Sequence, residues 1–289
     1  TATSGPGISL MGEAIGLMYF AEIPGVICDV QRMGPSTGLP TRTSQGDILA
    51  AAHSSHGDTR HPILFPGNPK ECFEFACLAL DLSEKAQTPV FVLSDLDLGM
   101  NFWTSKSFDY PEQKYARGKV LTKEDLEKIG EFARYQDVDG DGIPYRTLPG
   151  TEHDLGAYFT RGTGHNPKAE YSEDPENYQA LLKRLDKKWQ TIKEWVPDPE
   201  TQERSSKLGL VYFGSTDYVL PEFSDLLKNK LGEKPSLMRL KAFPFSSEVE
   251  SYLGKHEKIL VIEQNQLGQM AQLLRAEFPQ WAHKIQVLS

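Results

Sequence analysis

Seven short apolar runs, set apart by stretches of helical length, leave few architectures open to this chain. VICDV (26–30), PILF (62–65) and PVFVLSD (89–95) come first; KLGLVYFGS from Lys207, MRLKAF, KILVIE and the closing IQVLS come last. Runs of that length, rich in Val, Ile and Leu and without polar alternation, read as strands buried on both faces. Strands that alternate with helices imply parallel βαβ units, so the fold class is α/β. The expected helices are ISLMGEAIGLMYFAE, one bearing Phe73, Phe75, Ala76, Leu78 and Leu80, and three near 219–231, 246–254 and 266–277. The stripe Leu267, Met270, Leu273 and Leu274 reads as core packing.

Between the two sets of strands, residues 103–206 change character. They are rich in Asp, Glu, Lys, Tyr and Pro, with helices expected only near 123–135 and 175–194. Such a stretch reads as an excursion that wraps a surface. The expected division is residues 1–110, a connecting excursion over 111–206, and 207–289. Thr1 to Gly7 reads as a small-residue turn feeding a helix, as though a strand before it were cut away.

Charge excludes some partners. With 31 Lys and Arg against 40 Asp and Glu, the net charge is −9, so nucleic acid and anionic membrane are not expected partners. No apolar run reaches the roughly 20 residues of a membrane span, and the N-terminus lacks the basic start of a signal peptide. The expected location is the cytoplasm. Cys28, Cys72 and Cys77 form neither an even disulfide set nor a CxxC pair, too few for an iron-sulfur cluster.

Four segments carry candidate chemistry. QRMGPSTGLPTRTSQGD (31–47) leaves the strand VICDV directly, and ligands of open α/β sheets bind beyond the carboxyl ends of strands. Arg32, followed by Ser36, Thr37 and Thr41, offers a bidentate cation and hydroxyls suited to a small carboxylate; a solvated polar loop has the same composition. HSSHGDTRHP (53–62) gathers three of seven histidines, with His56 a candidate pocket residue and solvation the ordinary alternative. The Gly-rich start, with Thr3, Ser4 and Gly5, presents backbone amides that could meet an anion or a ring edge, without the Lys of a P-loop. In DVDGDG, Asp137, Asp139 and Asp141 match half of a calcium loop, but the twelfth position is Leu148 and not Glu, so an Asp/Gly turn closed by its own side chains is expected. His165, which ends a further polar loop, GTGH, is with His56 a candidate catalytic or pocket residue.

Taken together, TATSGPGISLMGEAIG, QRMGPSTGLPT, the HGD at 56–58, PVFVLSDLDLG and VIEQNQLGQ resemble the α subunit of a 2-oxoacid:ferredoxin oxidoreductase of the 2-oxoglutarate type, over almost the whole chain. The resemblance implies a pyrimidine-binding domain for thiamine diphosphate, incomplete at its N-terminus, followed by a domain like the C-terminal domain of transketolase. It implies a β subunit that carries the diphosphate site, magnesium and an iron-sulfur cluster and that meets ferredoxin, with coenzyme A as co-substrate. The implied reaction is oxidative decarboxylation of 2-oxoglutarate with acylation of coenzyme A, or the reverse carboxylation. Arg32 would hold the substrate's carboxylate and 2-oxo group, and Thr41 would line the same pocket. A Tyr-Pro-Ile-Thr-Pro segment and a glutamate expected of the family do not precede Thr1, so the remainder of an α subunit is an expected partner. Two other classes remain open at this point: a thiamine-dependent dehydrogenase or transketolase that uses no ferredoxin, and a non-catalytic assembly module.

Overall fold

The parallel order expected from the apolar runs is what the backbone adopts. The computed structural model describes residues 1–112, 114–232 and 234–289. The first part of the chain forms β1 (Ala2–Thr3), α1 (Gly5–Leu10), α2 (Gly12–Ala21), β2 (Gly25–Met33), β3 (Leu39–Thr43), α3 (Ile48–Ala52), β4 (Ile63–Leu64), α4 (Pro69–Ala86), β5 (Pro89–Asp95) and α5 (Leu96–Met100). A loop-rich stretch with α6 (Lys123–Ile129) and α7 (Pro175–Lys193) leads on. The last part holds β6 (Glu200–Gln202), β7 (Leu208–Phe213), α8 (Leu220–Leu231), β8 (Ser236–Leu240), β9 (Ala242–Phe243), α9 (Ser247–Lys255), β10 (Lys258–Ile262), α10 (Gln269–Glu277) and β11 (Ile285–Leu288).

These strands make two sheets. The first runs β1-β2-β5-β4-β9 with β3 folded back on β2, and the second runs β11-β10-β7-β8-β6. All central pairings are parallel; β3, β6 and β9 are the antiparallel additions. MRLKAF is therefore not one strand. Its first residues end β8 in the second sheet, and after Lys241 the chain passes to the first sheet, where Phe243 pairs with Ile63. Both halves are buried on both faces, so hydrophobicity alone gave no sign of the change. A bidentate ion pair fastens the crossing, with Arg239 of β8 donating to both oxygens of Glu71 of α4 at 2.7 Å.

Other departures have local causes. The first expected helix is interrupted at Met11 (φ −90°, ψ 0°), just ahead of Gly12, a weak helix former. The helix expected over 123–135 stops at Ile129, because Gly130 takes the left-handed conformation and its N–H closes on Leu126 O at 3.0 Å. The strand β6 is exposed and polar at every residue, which left no apolar pattern to read. Residues 31–47, read as a loop, contain β3.

One apolar core runs through both sheets. Phe65 of the first unit lies 5.3 Å from Phe213 of β7, and Trp189 of α7 lies 5.2 Å from Phe243 of β9. The excursion is not loosely draped. Glu22, at the end of α2 and 1% exposed, is gripped by Arg184 and by Lys188 of α7, the latter at 2.9 Å. Arg134 donates to Glu22 O at 3.0 Å and Tyr135 to Ala21 O at 3.2 Å. Burial alone would raise the Glu22 carboxyl, but the two cations hold it well below the usual glutamate range.

Candidate functional site

The carboxyl ends of β2 and β5 lie side by side, with Val30 opposite Ser94 and Gln31 opposite Asp95. Gln31 ties this end together: its side-chain N–H donates to Ser94 O at 3.2 Å and its carbonyl accepts from Asp47 N at 3.1 Å. Arg32 follows at the rim. Among the described residues it forms no ion pair, and its Nε is buried without a partner. A guanidinium N–H in that position lacks an acceptor that a carboxylate would supply.

Beyond Arg32 the chain turns back as an arm. Arg32 pairs with Thr43 and Met33 with Leu39, so the ladder is offset there and Pro40, Thr41 and Arg42 form a bulge. Ser36, Thr37 and Thr41 are all exposed on this arm. Gly38 makes the turn possible. Its φ is +51°, and a Cβ there would stand 2.0 Å from Met33 O. Gly38→Ala is accordingly expected to store about 1–3 kcal/mol of strain in the arm. Amide exchange would show it as faster exchange across residues 33–43, with the ladder between β7 and β10 unchanged.

Just past the carboxyl end of β3, where the arm has returned, Gln45 enters a buried hydrogen-bond network between the two sheets. Its side-chain amide donates to Phe213 O at 3.2 Å, and its carbonyl accepts from Gln264 N at 3.2 Å and from Thr216 Oγ1 at 3.3 Å. Ser215 donates to Asp95 Oδ2 at 2.6 Å, while Asp95 Oδ1 caps α5 through Asp97 N at 3.1 Å. Asn265 donates to Gln45 O at 3.0 Å. The carboxyl ends of β2, β5, β7 and β10 thus meet at one polar seam. Gln45, Asp95, Ser215 and Gln264 were not singled out from the sequence, because side chains that close a fold from four distant segments have no local pattern.

The remaining predicted residues separate into those near Arg32 and those elsewhere. Thr3, Ser4 and Gly5 sit at the end of β1, beside β2. Gly5 packs on Asp47, since a Cβ would lie 2.7 Å from its Oδ1, and Gly7 packs on Thr3; these glycines are accounted for within the chain. Ser4 precedes α1 without capping it through its side chain. His56 is 84% exposed at its side chain, close to Ser55 and, at 3.7 Å, to Glu13. His61, from the same histidine-rich stretch, is a core residue that donates to Ser54 O at 3.0 Å, and burial pulls it down to about 4. His165 is 1% exposed and packs against Phe20 and Tyr135, with Nδ1 bonded to Thr163 O at 2.9 Å. It belongs to the excursion, not to the rim around Arg32.

In the DVDGDG loop, Asp137 accepts from Gly140 N at 2.8 Å and Gly142 N at 3.0 Å, and Asp141 accepts from Ile143 N at 2.9 Å. The Lys119 ammonium bridges Asp139 at 2.7 Å and Asp141 at 2.8 Å. A resident cation of the protein's own therefore already sits between these carboxylates. No group of three or more His, Cys, Asp or Glu that could hold a metal occurs among the described residues, and none of their helices is long and apolar enough to cross a membrane.

Residues 1–140 match the family model described as pyruvate flavodoxin/ferredoxin oxidoreductase, thiamine diphosphate-binding. The α subunit of 2-oxoacid:ferredoxin oxidoreductase 2 from Aeropyrum pernix is 35% identical over 284 residues, covering 96% of this chain and 43% of its own length. The 2-oxoglutarate synthase subunit KorA of Methanocaldococcus jannaschii is 30% identical over 274 residues, covering 93% of this chain and 70% of its own. The chain belongs to the α subunits of the 2-oxoacid:ferredoxin oxidoreductases. Among solved structures, the 2-oxoglutarate:ferredoxin oxidoreductase of Magnetococcus marinus, with 2-oxoglutarate, coenzyme A and succinyl-CoA bound, matches this α subunit with a TM-score of 0.84 at 30% identity. That match covers 96% of this chain and 48% of the other. This α-subunit chain spans less than half the length of the Aeropyrum relative. The α/β fold expected from its apolar runs is the family's.

Proposed function

We propose that this chain is the substrate-orienting part of a thiamine diphosphate-dependent 2-oxoglutarate:ferredoxin oxidoreductase of the cytoplasm. The reaction is oxidative decarboxylation of 2-oxoglutarate with acylation of coenzyme A, or its reversal. The observation that carries the reading is Arg32, the penultimate residue of β2 at its carboxyl end, with a buried, unpartnered Nε, beside an exposed arm of hydroxyls at Ser36, Thr37 and Thr41. A planar guanidinium suits the carboxylate and 2-oxo oxygen of one substrate, and the hydroxyls suit the remaining polar atoms.

Thiamine diphosphate would meet Thr3, Ser4 and Gly5 at the end of β1, and the Ser4 hydroxyl fits a ring edge there. When bound, the cofactor supplies the nucleophilic carbon and the electron sink that decarboxylation needs. The chain's own part is to fix the 2-oxoacid, orient its carboxylate and close one wall of the site. A β subunit would bring the diphosphate site, magnesium and the iron-sulfur cluster and pass electrons to ferredoxin; the three cysteines here match no cluster pattern.

The test is assembly. The full-length α subunit, copurified with a β-type partner, is expected to reduce viologen when given 2-oxoglutarate and coenzyme A. The chain alone is expected to give no such rate. Viologen reduction by the chain alone, or none by the assembly, would overturn the proposal.

A further inference from the structure

Asp29 lies within β2, 0% exposed, on the strand face opposite Arg32's. Its register partners are Thr3 on β1 and Leu93 on β5, neither of which titrates. Both its carboxyl oxygens are buried and receive no N–H or O–H, and Oδ2 of Asp47 is in the same condition. The group each carboxyl faces is the other. Asp47 sits against the start of α1, where its carboxyl fills the space that a Cβ on Gly5 would take.

Two ionised carboxylates are acceptors only, and in a dry site they also repel. One proton between them supplies the missing O–H donor and removes one of the two negative charges. Arg32 is the cation that acts on Asp47, and it has no ion pair of its own. From these placements we infer that Asp29 and Asp47 share a single proton, which weakens their hold on Arg32 and leaves its guanidinium free for an anionic ligand. The inference rests on the reading of Arg32 as a carboxylate site. It makes Asp29 and Asp47 positioning residues that touch no substrate.

The direction with pH follows. Burial, and then the charge of Asp47, push Asp29 up to about 8, and burial also raises Asp47 against the hydrogen bond from Asp29 and the pull of Arg32. Below that range the pair keeps its proton. Above it the pair gains a second negative charge and draws Arg32 away from any ligand.

Two measurements test this. The infrared spectrum of this chain at about pH 7 should contain the carbonyl stretch of a protonated carboxylic acid that fades by about pH 9 and is missing from Asp29→Asn. In the full-length assembly, the Kd for 2-oxoglutarate should rise about tenfold between about pH 7 and pH 9. In Asp29→Asn, whose amide donates to Asp47 at any pH, the rise should stay within about threefold, and Asp47→Asn should behave alike. Absence of the band in the parent, or a tenfold rise that persists in both variants, would overturn the inference. If the band is present but 2-oxoglutarate binds at neither pH, the substrate reading fails while the shared proton stands.

Discussion

Replacing Arg32 by Lys is expected to lower kcat/KM for 2-oxoglutarate in the assembled enzyme by about 30-fold to 1,000-fold, the kinetic equivalent of losing roughly 2–4 kcal/mol. Lysine keeps the charge. What it loses is the planar fork, so one ammonium must serve two oxygens that a guanidinium meets together. The buried Nε marks the site as partly desolvated, which is where such an exchange costs most. Folding stability should hardly change, because Arg32 stands at the rim of the sheet and carries no ion pair among the described residues. A value of kcat/KM within about threefold of the parent would remove Arg32 from the substrate site.

Stability should respond most at Glu22. Glu22→Gln is expected to cost about 3–5 kcal/mol in urea unfolding, because it leaves Arg184 and Lys188 buried without their carboxylate. The pH dependence has a definite sign. The folded-state value of Glu22 is depressed, so its contribution is present above the ordinary glutamate range and is lost as pH falls below about 4. The variant should therefore lack that part of the acid-side decline shown by the parent. An unchanged urea midpoint would mean that the excursion is held by its apolar contacts alone, chiefly Trp189 and Ile192.

The central strands were legible because each is a short apolar run buried on both faces, and such runs reveal themselves within a few residues. VICDV and KILVIE needed no partner to be read. The chain's changes of sheet were not legible: β8 and β9 are separated by Lys241 alone and equally buried on either side of it. Arg32 was found because it follows a recognisable strand and precedes a Gly/Pro-shaped turn. Asp29 and Asp47 were passed over, since an acid inside an apolar strand and an acid ahead of a helix each look ordinary until folding brings them together. The same holds for Gln45, which meets Phe213 and Gln264 from far along the chain. His165 shows a placement the polar-looking GTGH motif did not announce: the ring is buried in the excursion against Phe20 and Tyr135, with its Nε2 unpartnered.

The passage of β9 into the first sheet has a consequence for how this molecule can be divided. Residues 242–243 close the edge of a sheet whose other strands all lie before residue 96. A cut placed in the linker ahead of β7 would leave β4 with an unsatisfied edge, of the kind that recruits foreign strands. The two halves are thus sequential on paper but interleaved in space. Swapping the C-terminal half between relatives would exchange part of the N-terminal half's own sheet, so the two must be inherited, and engineered, as one piece.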